Sequence, residues 1–334
     1  MAETGKACFI VPFRNTEKDD KCADEFIRTA VEYDILKDVY FVIEIPEQRT
    51  FLQDVAKKYK SKDFKYLYLK DHTKFFVEGD KNIPTIKKWA GIKAIYKKYD
   101  YVAAIDVDCI FVKPFNTYDL LKEVWDQRTC FFKNRTSIMN EVHLINCAYA
   151  CGLENNRLLI QETQNFTLSC WFNDIPVYKS STLDDFFDWL DSVNSKNGKT
   201  TYQNVKENFC CFDYWIYWFY MICFKGMTSS TYSGYKSVEN SIIEDLDSYN
   251  NVLCFINMRL PELSPGLSSN ILLFDKERVI YYINKFEKET GTHWTSRNYV
   301  LTKDDFENSN IYIQFHIDRQ QDYLGQRWHL EPKL

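Results

Sequence analysis

The sequence predicts an α/β protein: a mainly parallel sheet flanked by helices, followed by an irregular α+β C-terminal half. Three observations predict it. Short apolar runs alternate with amphipathic helical segments from residue 8 to residue 105, and that order builds parallel strands joined by crossover helices. The 334 residues are 45% hydrophobic and 27% charged, with only 10 Gly and 8 Pro. This excludes a disordered, collagen-like or low-complexity chain and leaves enough apolar side chain for a large core. No repeat and no clear linker divides the chain, so it reads as a single domain over 1–334, with its sheet-forming half over 1–116 and a second half over 117–334.

The first strand is 8–12 (CFIVP). A helix over 21–36 follows, with Ala23, Phe26, Ile27, Ala30 and Val31 on one face. Residues 39–45 (VYFVIEI) form a second strand, 50–59 a helix and 64–69 (FKYLYL) a third strand. A helix over 86–99 carries Trp89, Ile92, Lys93 and Tyr96 on adjacent turns. It leads into a fourth strand, 101–105 (YVAAI), followed at once by DVDCIFVKPF. Such an order implies a doubly wound, Rossmann-like sheet of the nucleotide-binding kind, with its ligand at the carboxyl ends of the strands. Arg14 and Asp106 both fall at such ends. In the second half, 131–132 and 142–151 read as strands. Residues 183–193 read as an amphipathic helix with Thr182 as N-cap, and 195–204 as a polar loop. Residues 209–224 (FCCFDYWIYWFYMICF) read as a buried aromatic helix ended by Gly226. Residues 228–237 have the small, polar composition of a mobile loop. Residues 271–273 and 311–315 read as late strands and 279–290 as a helix.

Composition excludes several classes. With 42 basic and 47 acidic residues the net charge is −5, so there is no general cationic footprint for nucleic acid. The longest apolar run, 209–224, is broken by Asp213 and falls short of the ~20 residues of a bilayer span; no integral membrane segment is expected. The opening MAETGKACFIVPF lacks a secretory signal. The 11 cysteines are odd in number and show no CxxC pair, which reads as reduced thiols in a cytoplasmic compartment. The sequons at Asn134 and Asn165 are then incidental. Aromatic residues make up 17% of the chain. They fit a ring-rich core or a cleft that offers rings to bases or sugars, such as Trp171, Trp215, Trp218 and Tyr232.

The feature that carries chemistry is Asp106-Val107-Asp108. A second triplet, Asp245-Leu246-Asp247, reads as a solvated segment, whereas Asp106 and Asp108 stand inside a hydrophobic stretch. Buried carboxylates are costly unless cations pair with them. Two residues apart on an extended chain, both point to the same side. A hard divalent ion, Mn²⁺ or Mg²⁺, accepts such oxygens and shares its other positions with a diphosphate. The alternative is a structural carboxylate pair. A second feature is FIVPFRN, where a strand runs into a Pro-containing turn. There Arg14 can grip a phosphate or stack on a base and Asn15 can bond a base edge or sugar hydroxyl. The alternative for Arg14 is a partner carboxylate at the surface. Asp213 interrupts an aromatic helix. Desolvation raises the pKa of such a carboxyl, which suits a general base acting on an acceptor hydroxyl; the alternative is a helix-start carboxylate satisfied by backbone N–H groups. Asp174, Asp184 and Asp185 are rivals for that role.

Together these segments resemble the nucleotide-sugar-dependent glycosyltransferases of the GT-A fold. FIVPFRN looks like the PFRN-type donor-binding segment of the β-1,4-galactosyltransferase group. YDYVAAIDVDCIFVKPF looks like the metal-binding DxD strand of GT-A enzymes, and IPTIKKWAGIKAIYKKYDY like the helix that leads into it. The motifs cover roughly residues 8–115. The resemblance implies that 1–116 binds a nucleotide sugar, expected to be a UDP-sugar, and that 117–334 binds a glycan acceptor and supplies a metal ligand. It implies that Pro12, Phe13 and Arg14 line the nucleotide pocket, that Asp106, Val107 and Asp108 form the donor and metal segment, and that Lys87 or Lys88 reaches donor hydroxyls or phosphate. It also implies a C-terminal histidine as third metal ligand, a placement that His316 matches in IYIQFHID, with His293 and His329 weaker and Arg319 near the diphosphate. No WGxGxED-like segment is present, which departs from the galactosyltransferase group and leaves the stereochemical outcome open. A sugar-nucleotidyl transferase is the enzyme alternative, but 8–20 holds no Gly for a phosphate loop. A catalytically inactive binding protein of the same fold is the other. A chain without leader or anchor suits a bacterial or virus-encoded enzyme.

Overall fold

The structure, a computed structural model, describes residues 5–14, 16–73, 83–111, 113–127, 129–133, 147, 167–169, 175–207, 213–225, 230–235, 254–259, 268–273, 288 and 311–315. In chain order the first part runs β1 (Ala7–Pro12), α1 (Glu17–Glu32), β2 (Val39–Ile43), α2 (Pro46–Lys58), β3 (Lys65–Tyr68), α3 (Leu69–His72), α4 (Ile83–Ile95), β4 (Tyr101–Ala104), β5 (Ile110–Phe111) and α5 (Thr117–Gln127). The second part runs β6 (Thr129–Lys133), β7 (Thr167–Ser169), β8 (Val177–Lys179), α6 (Leu183–Lys196), α7 (Thr201–Glu207), α8 (Asp213–Cys223), β9 (Ser230–Tyr235), β10 (Cys254–Arg259), β11 (Ser268–Leu273) and β12 (Ile311–Phe315).

The central sheet has five strands in the order β3-β2-β1-β4-β8. The first four are parallel, and β8 closes the edge antiparallel to β4. This is the expected α/β architecture. The residues of β1 and β4 are all buried, as central strands covered on both faces must be. Helix α4 lies close on β1 and β2 because Gly91 has no side chain. A Cβ there would stand 2.7 Å from Val42 Cγ2 and 2.8 Å from Ile10 Cγ2. Helix α1 is tied to β5 by Thr29, whose hydroxyl accepts the Phe111 N–H at 3.1 Å. A four-stranded sheet, β10-β11-β12-β5, is antiparallel, and β7-β6-β9 form a third sheet.

Several boundaries differ from the sequence reading, each for a local reason. Helix α1 starts at Glu17, four residues early, because Thr16 Oγ1 accepts the Asp19 N–H at 3.1 Å; its polar first turn carries no apolar period to read. Helix α2 starts at Pro46, where Gln48 Oε1 reaches back to the Glu44 N–H at 2.6 Å. Residues 195–204 are not a loop: α6 runs to Lys196 and α7 begins at Thr201. Buried Asn204 donates to Asn194 at 2.6 Å and seals that corner. Thr182 does not cap α6 with its side chain; its hydroxyl donates to the Lys179 carbonyl at 2.7 Å. Part of the expected loop at 228–237 is strand β9, paired with β6. The strands expected at 131–132, 271–273 and 311–315 are present. Within 142–151 the described residue is Cys147, which is helical, and within 279–290 it is Lys288, also helical. Gly226, Asn134, Asn165, Asp245 and Asp247 lie outside the described residues.

Among the described residues no helix is long and apolar enough to cross a membrane. Cys8, Cys22, Cys109 and Cys147 are buried thiols outside any disulfide.

Candidate active site

The strand order reverses between β1 and β4: β2 and β3 lie to one side of β1, and the chain then returns to place β4 on the other. The carboxyl ends of two such diverging strands leave a crevice. Two backbone bonds define its walls. The Phe13 N–H reaches the Val42 carbonyl at 3.1 Å, and the Ile105 N–H reaches the Ile10 carbonyl at 3.0 Å. The next residues on either side are therefore Arg14 and Asp106. Both are exposed.

The side chain of Asp106 is 51% exposed and takes the Lys88 ammonium at 2.9 Å. Lys88 comes from α4, and its own residue is 8% exposed. Val107 is buried, and Asp108, in the turn that follows β4, is partly exposed. The Cys109 thiol lies 3.9 Å from Asp108 Oδ1. On the inner side stands Asp213, the first residue of α8, 2% exposed. Its carboxylate accepts the hydroxyl of Tyr178 in β8. Tyr178 is itself fully buried, its ring 4.8 Å from that of Tyr217.

The electrostatics follow from this packing. Burial works against the charge of Lys88, but the carboxylates of Asp106, Asp213 and Asp108 outweigh it and push its pKa above the ordinary lysine range. Burial raises the carboxyl pKa of Asp213, opposed by Lys88 and by the Tyr178 hydroxyl. Burial, and then the Asp213 carboxylate, push the Tyr178 phenol well up.

The neighbouring Lys87 has a different environment. It is fully buried, pairs with Glu44 and donates to the Phe13 carbonyl; burial lowers its pKa. Successive helical residues point about 100° apart, so of the two lysines it is Lys88 that meets the crevice.

Other expectations need correction. The Phe13 ring is fully buried and stacks on Phe51 at 5.8 Å with an interplanar angle of 1°. Pro12 is buried within β1. Neither side chain lines an open pocket; they fix the strand that delivers Arg14. Arg14 is 57% exposed and its Nε lies 3.4 Å from Asp19 Oδ2, the surface pairing weighed as its alternative. Asp213 is buried and its carboxylate accepts the Tyr178 hydroxyl. Asp184 bonds Tyr96 and lies 3.1 Å from Lys97, and Asp185 lies 2.6 Å from Lys225, on the surface. Trp215 is buried in the core. Asn15, His316, His293, His329, Arg319, Trp171 and Asp174 lie outside the described residues, as do the side chains of Trp218 and Tyr232. Tyr178 was not foreseen. It stands in a three-residue edge strand, too short to show a period, and a single tyrosine there carries no signal.

The residues fit a divalent cation in charge. The carboxylates of Asp106, Asp213 and Asp108 act on one ammonium, and Asp106 and Asp108 both reach solvent. Among the described residues no group of three or more His, Cys, Asp or Glu is arranged to hold a metal. Strand β12 pairs antiparallel with β5, Ile313 opposite Phe111 and Gln314 opposite Ile110. Its carboxyl end therefore runs toward the Asp108 end of β5.

No protein-family model and no curated protein matches the chain. Solved structures with partial overlap include the apo form of the bifunctional glycosyltransferase WbbM, at 11% identity and TM-score 0.36 over 64% of this chain. They include the mannosyltransferase Ktr4p from S. cerevisiae, at 11% identity and TM-score 0.32 over 56% of this chain. They also include mouse xyloside xylosyltransferase 1, at 10% identity and TM-score 0.37 over 66% of this chain and 83% of that one. The chain spans 39% of the length of WbbM and 60% of that of Ktr4p. At these scores the overlaps assign neither a family nor a reaction, and the geometry of the crevice has to carry the functional reading.

Proposed function

We propose that this chain transfers a glycosyl group from a nucleoside-diphosphate sugar, with uridine as the expected base, to a hydroxyl of a glycan acceptor. The observation that carries the reading is the position of Asp106-Val107-Asp108. The triplet leaves β4 where the strand order reverses, opposite Arg14, with Lys88 bonded to its first carboxylate at 2.9 Å. In open α/β sheets this crevice is where nucleotides bind. The resemblance of the PFRN and DVD segments to donor-binding segments supports the same reading.

Each residue has a part. Asp106 and Asp108 are proposed to hold Mn²⁺ or Mg²⁺, with His316, directly after β12, as third ligand. That ion would supply Lewis-acid stabilisation of the charge that builds on the departing diphosphate. Lys88 fixes Asp106 and adds positive charge beside the phosphates. Arg14 exchanges Asp19 for a phosphate or the base, and Asn15 bonds the base or ribose. In the transfer the bond from the anomeric carbon to the diphosphate oxygen breaks, and the electron pair leaves with the diphosphate. A bond from the anomeric carbon to the acceptor oxygen forms as the hydroxyl proton passes to the departing diphosphate or to water. Asp213 is proposed as a counter-charge to Lys88 and not as the proton acceptor.

The test is a panel of uridine and guanosine diphosphate sugars, incubated with the protein and Mn²⁺ and followed by diphosphate release. Release with one donor, abolished by EDTA, is expected, and NMR of the product gives the anomeric outcome. No release from any donor, with or without glycan acceptors, contradicts the reading.

A further inference from the structure

Two carboxylates compete for the ammonium of Lys88, and the structure shows which one has it. Asp106 takes it at 2.9 Å, while Asp213 acts on it as a charge at longer range. On electrostatics alone the order is unexpected. Asp213 is 2% exposed, and a buried carboxylate attracts an ammonium more strongly than one half in water. Asp106 has a side chain 51% exposed. What Asp213 has in place of the ammonium is the Tyr178 hydroxyl, together with its own backbone N–H. A hydrogen bond from a hydroxyl to a carboxylate is among the strong ones, and a buried carboxylate left without it must find another donor.

We infer that Tyr178 is a positioning residue: by donating to Asp213 it leaves Lys88 to Asp106 and so sets how the first carboxylate of the DVD segment is presented. The inference rests on the proposed reading of this crevice as a cation and diphosphate site. The surroundings hold the phenol in place. Its ring packs on Tyr217 at 4.8 Å, and the Tyr217 hydroxyl lies 2.6 Å from Thr182 Oγ1 and accepts the Lys179 N–H at 3.3 Å. Val102 in β4 pairs with Tyr178 itself, so the strand that delivers Asp106 and the strand that delivers the hydroxyl are hydrogen-bonded neighbours. Phenylalanine keeps the ring and removes only the donor. With Asp213 then short of a donor, Lys88 turns to it, and Asp106 loses the ammonium beside it.

The expected sign separates this role from a merely structural one. Ordinary damage weakens metal binding, whereas here Tyr178→Phe removes a cation from beside a proposed metal ligand. Mn²⁺ affinity, read by electron paramagnetic resonance of the free ion with UDP present, should tighten by roughly three- to tenfold, as loss of one nearby like charge allows. The turnover of donor hydrolysis should fall several-fold because Asp106 is no longer held. In an Asp213→Asn background the competing carboxylate is gone, and adding Tyr178→Phe should change neither quantity. Asp213→Glu, which lengthens the carboxylate arm with the tyrosine intact, should also tighten Mn²⁺ and provides a second route if Tyr178→Phe does not fold. Unchanged or weaker Mn²⁺ binding in both variants overturns the inference, as does an equal effect of Tyr178→Phe with and without Asp213. A wild-type protein that binds no Mn²⁺ in the presence of UDP or GDP overturns the reading of the crevice itself, which is a different result.

Discussion

Lys87 and Lys88 are neighbours on one helix and both are buried, yet their surroundings differ in kind. Lys87 pairs with one carboxylate, Glu44, and one carbonyl, that of Phe13, while Arg14 and Asp19 act on it as opposite charges, and no solvent reaches it. Charge there is matched and closed. Lys88 faces Asp106, Asp213 and Asp108, and the first of these opens to water. Charge there is in surplus and accessible. A sealed ion pair ties elements together, in this case α4 to the ends of β1 and β2. A buried cation outnumbered by carboxylates at a crevice mouth leaves something for a ligand to complete. The two lysines therefore mark the boundary between scaffold and site within a single turn of α4.

Breaking the sealed corner should give the largest effect. Lys87→Ala leaves Glu44, its side chain 10% exposed, without its ammonium and should cost about 3–5 kcal/mol of stability, measured by urea unfolding; a loss under ~1 kcal/mol would place that pair among surface bridges. At the open corner, Asp108→Ala should lower Mn²⁺-dependent donor hydrolysis at least ~100-fold while changing stability by no more than about 0.5 kcal/mol. Unaltered hydrolysis would remove the metal assignment. Gly91→Ala pushes against Val42 and Ile10 at 2.7 and 2.8 Å and should cost about 1–3 kcal/mol. Because it displaces the helix that carries both lysines, it should also weaken UDP binding, which calorimetry reads. Arg14→Ala is the mildest, with exposure of 57%. UDP binding should weaken about three- to tenfold, the size of one solvent-exposed phosphate contact, with no change in thermal stability.

Much of this was legible in the sequence where one physical signal dominates. Buried parallel strands read as continuous apolar runs, so β1, β2 and β4 were visible, and with them the crevice and the positions of Arg14 and Asp106. The DVD triplet was visible because carboxylates inside an apolar stretch need a cation. What was hidden is what depends on partners distant in sequence. Nothing local says that Lys87 goes to Glu44 and Lys88 to Asp106; the packing of α4 on the sheet fixes it only in three dimensions. Phe13 was read as a pocket wall because it follows a strand, but the ring of Phe51 draws it into the core. Asp213 was rightly expected to be buried with a raised pKa. Its link to Tyr178 spans 35 residues, too far apart in the chain for any local pattern to show. The polar first turn of α1 and the seam between α6 and α7 were missed because polar caps and buried asparagines carry no hydrophobic period.

The account stands on the crevice between β1 and β4 being a joint site for a divalent ion and a nucleoside diphosphate. Calorimetric titration of UDP, with GDP in parallel, into the wild-type protein and into Asp108→Ala, each with Mn²⁺ and with EDTA, tests it most directly. Binding by the wild type that requires Mn²⁺ and is lost in the variant is the predicted result; equal affinity with EDTA, or in the variant, would contradict it.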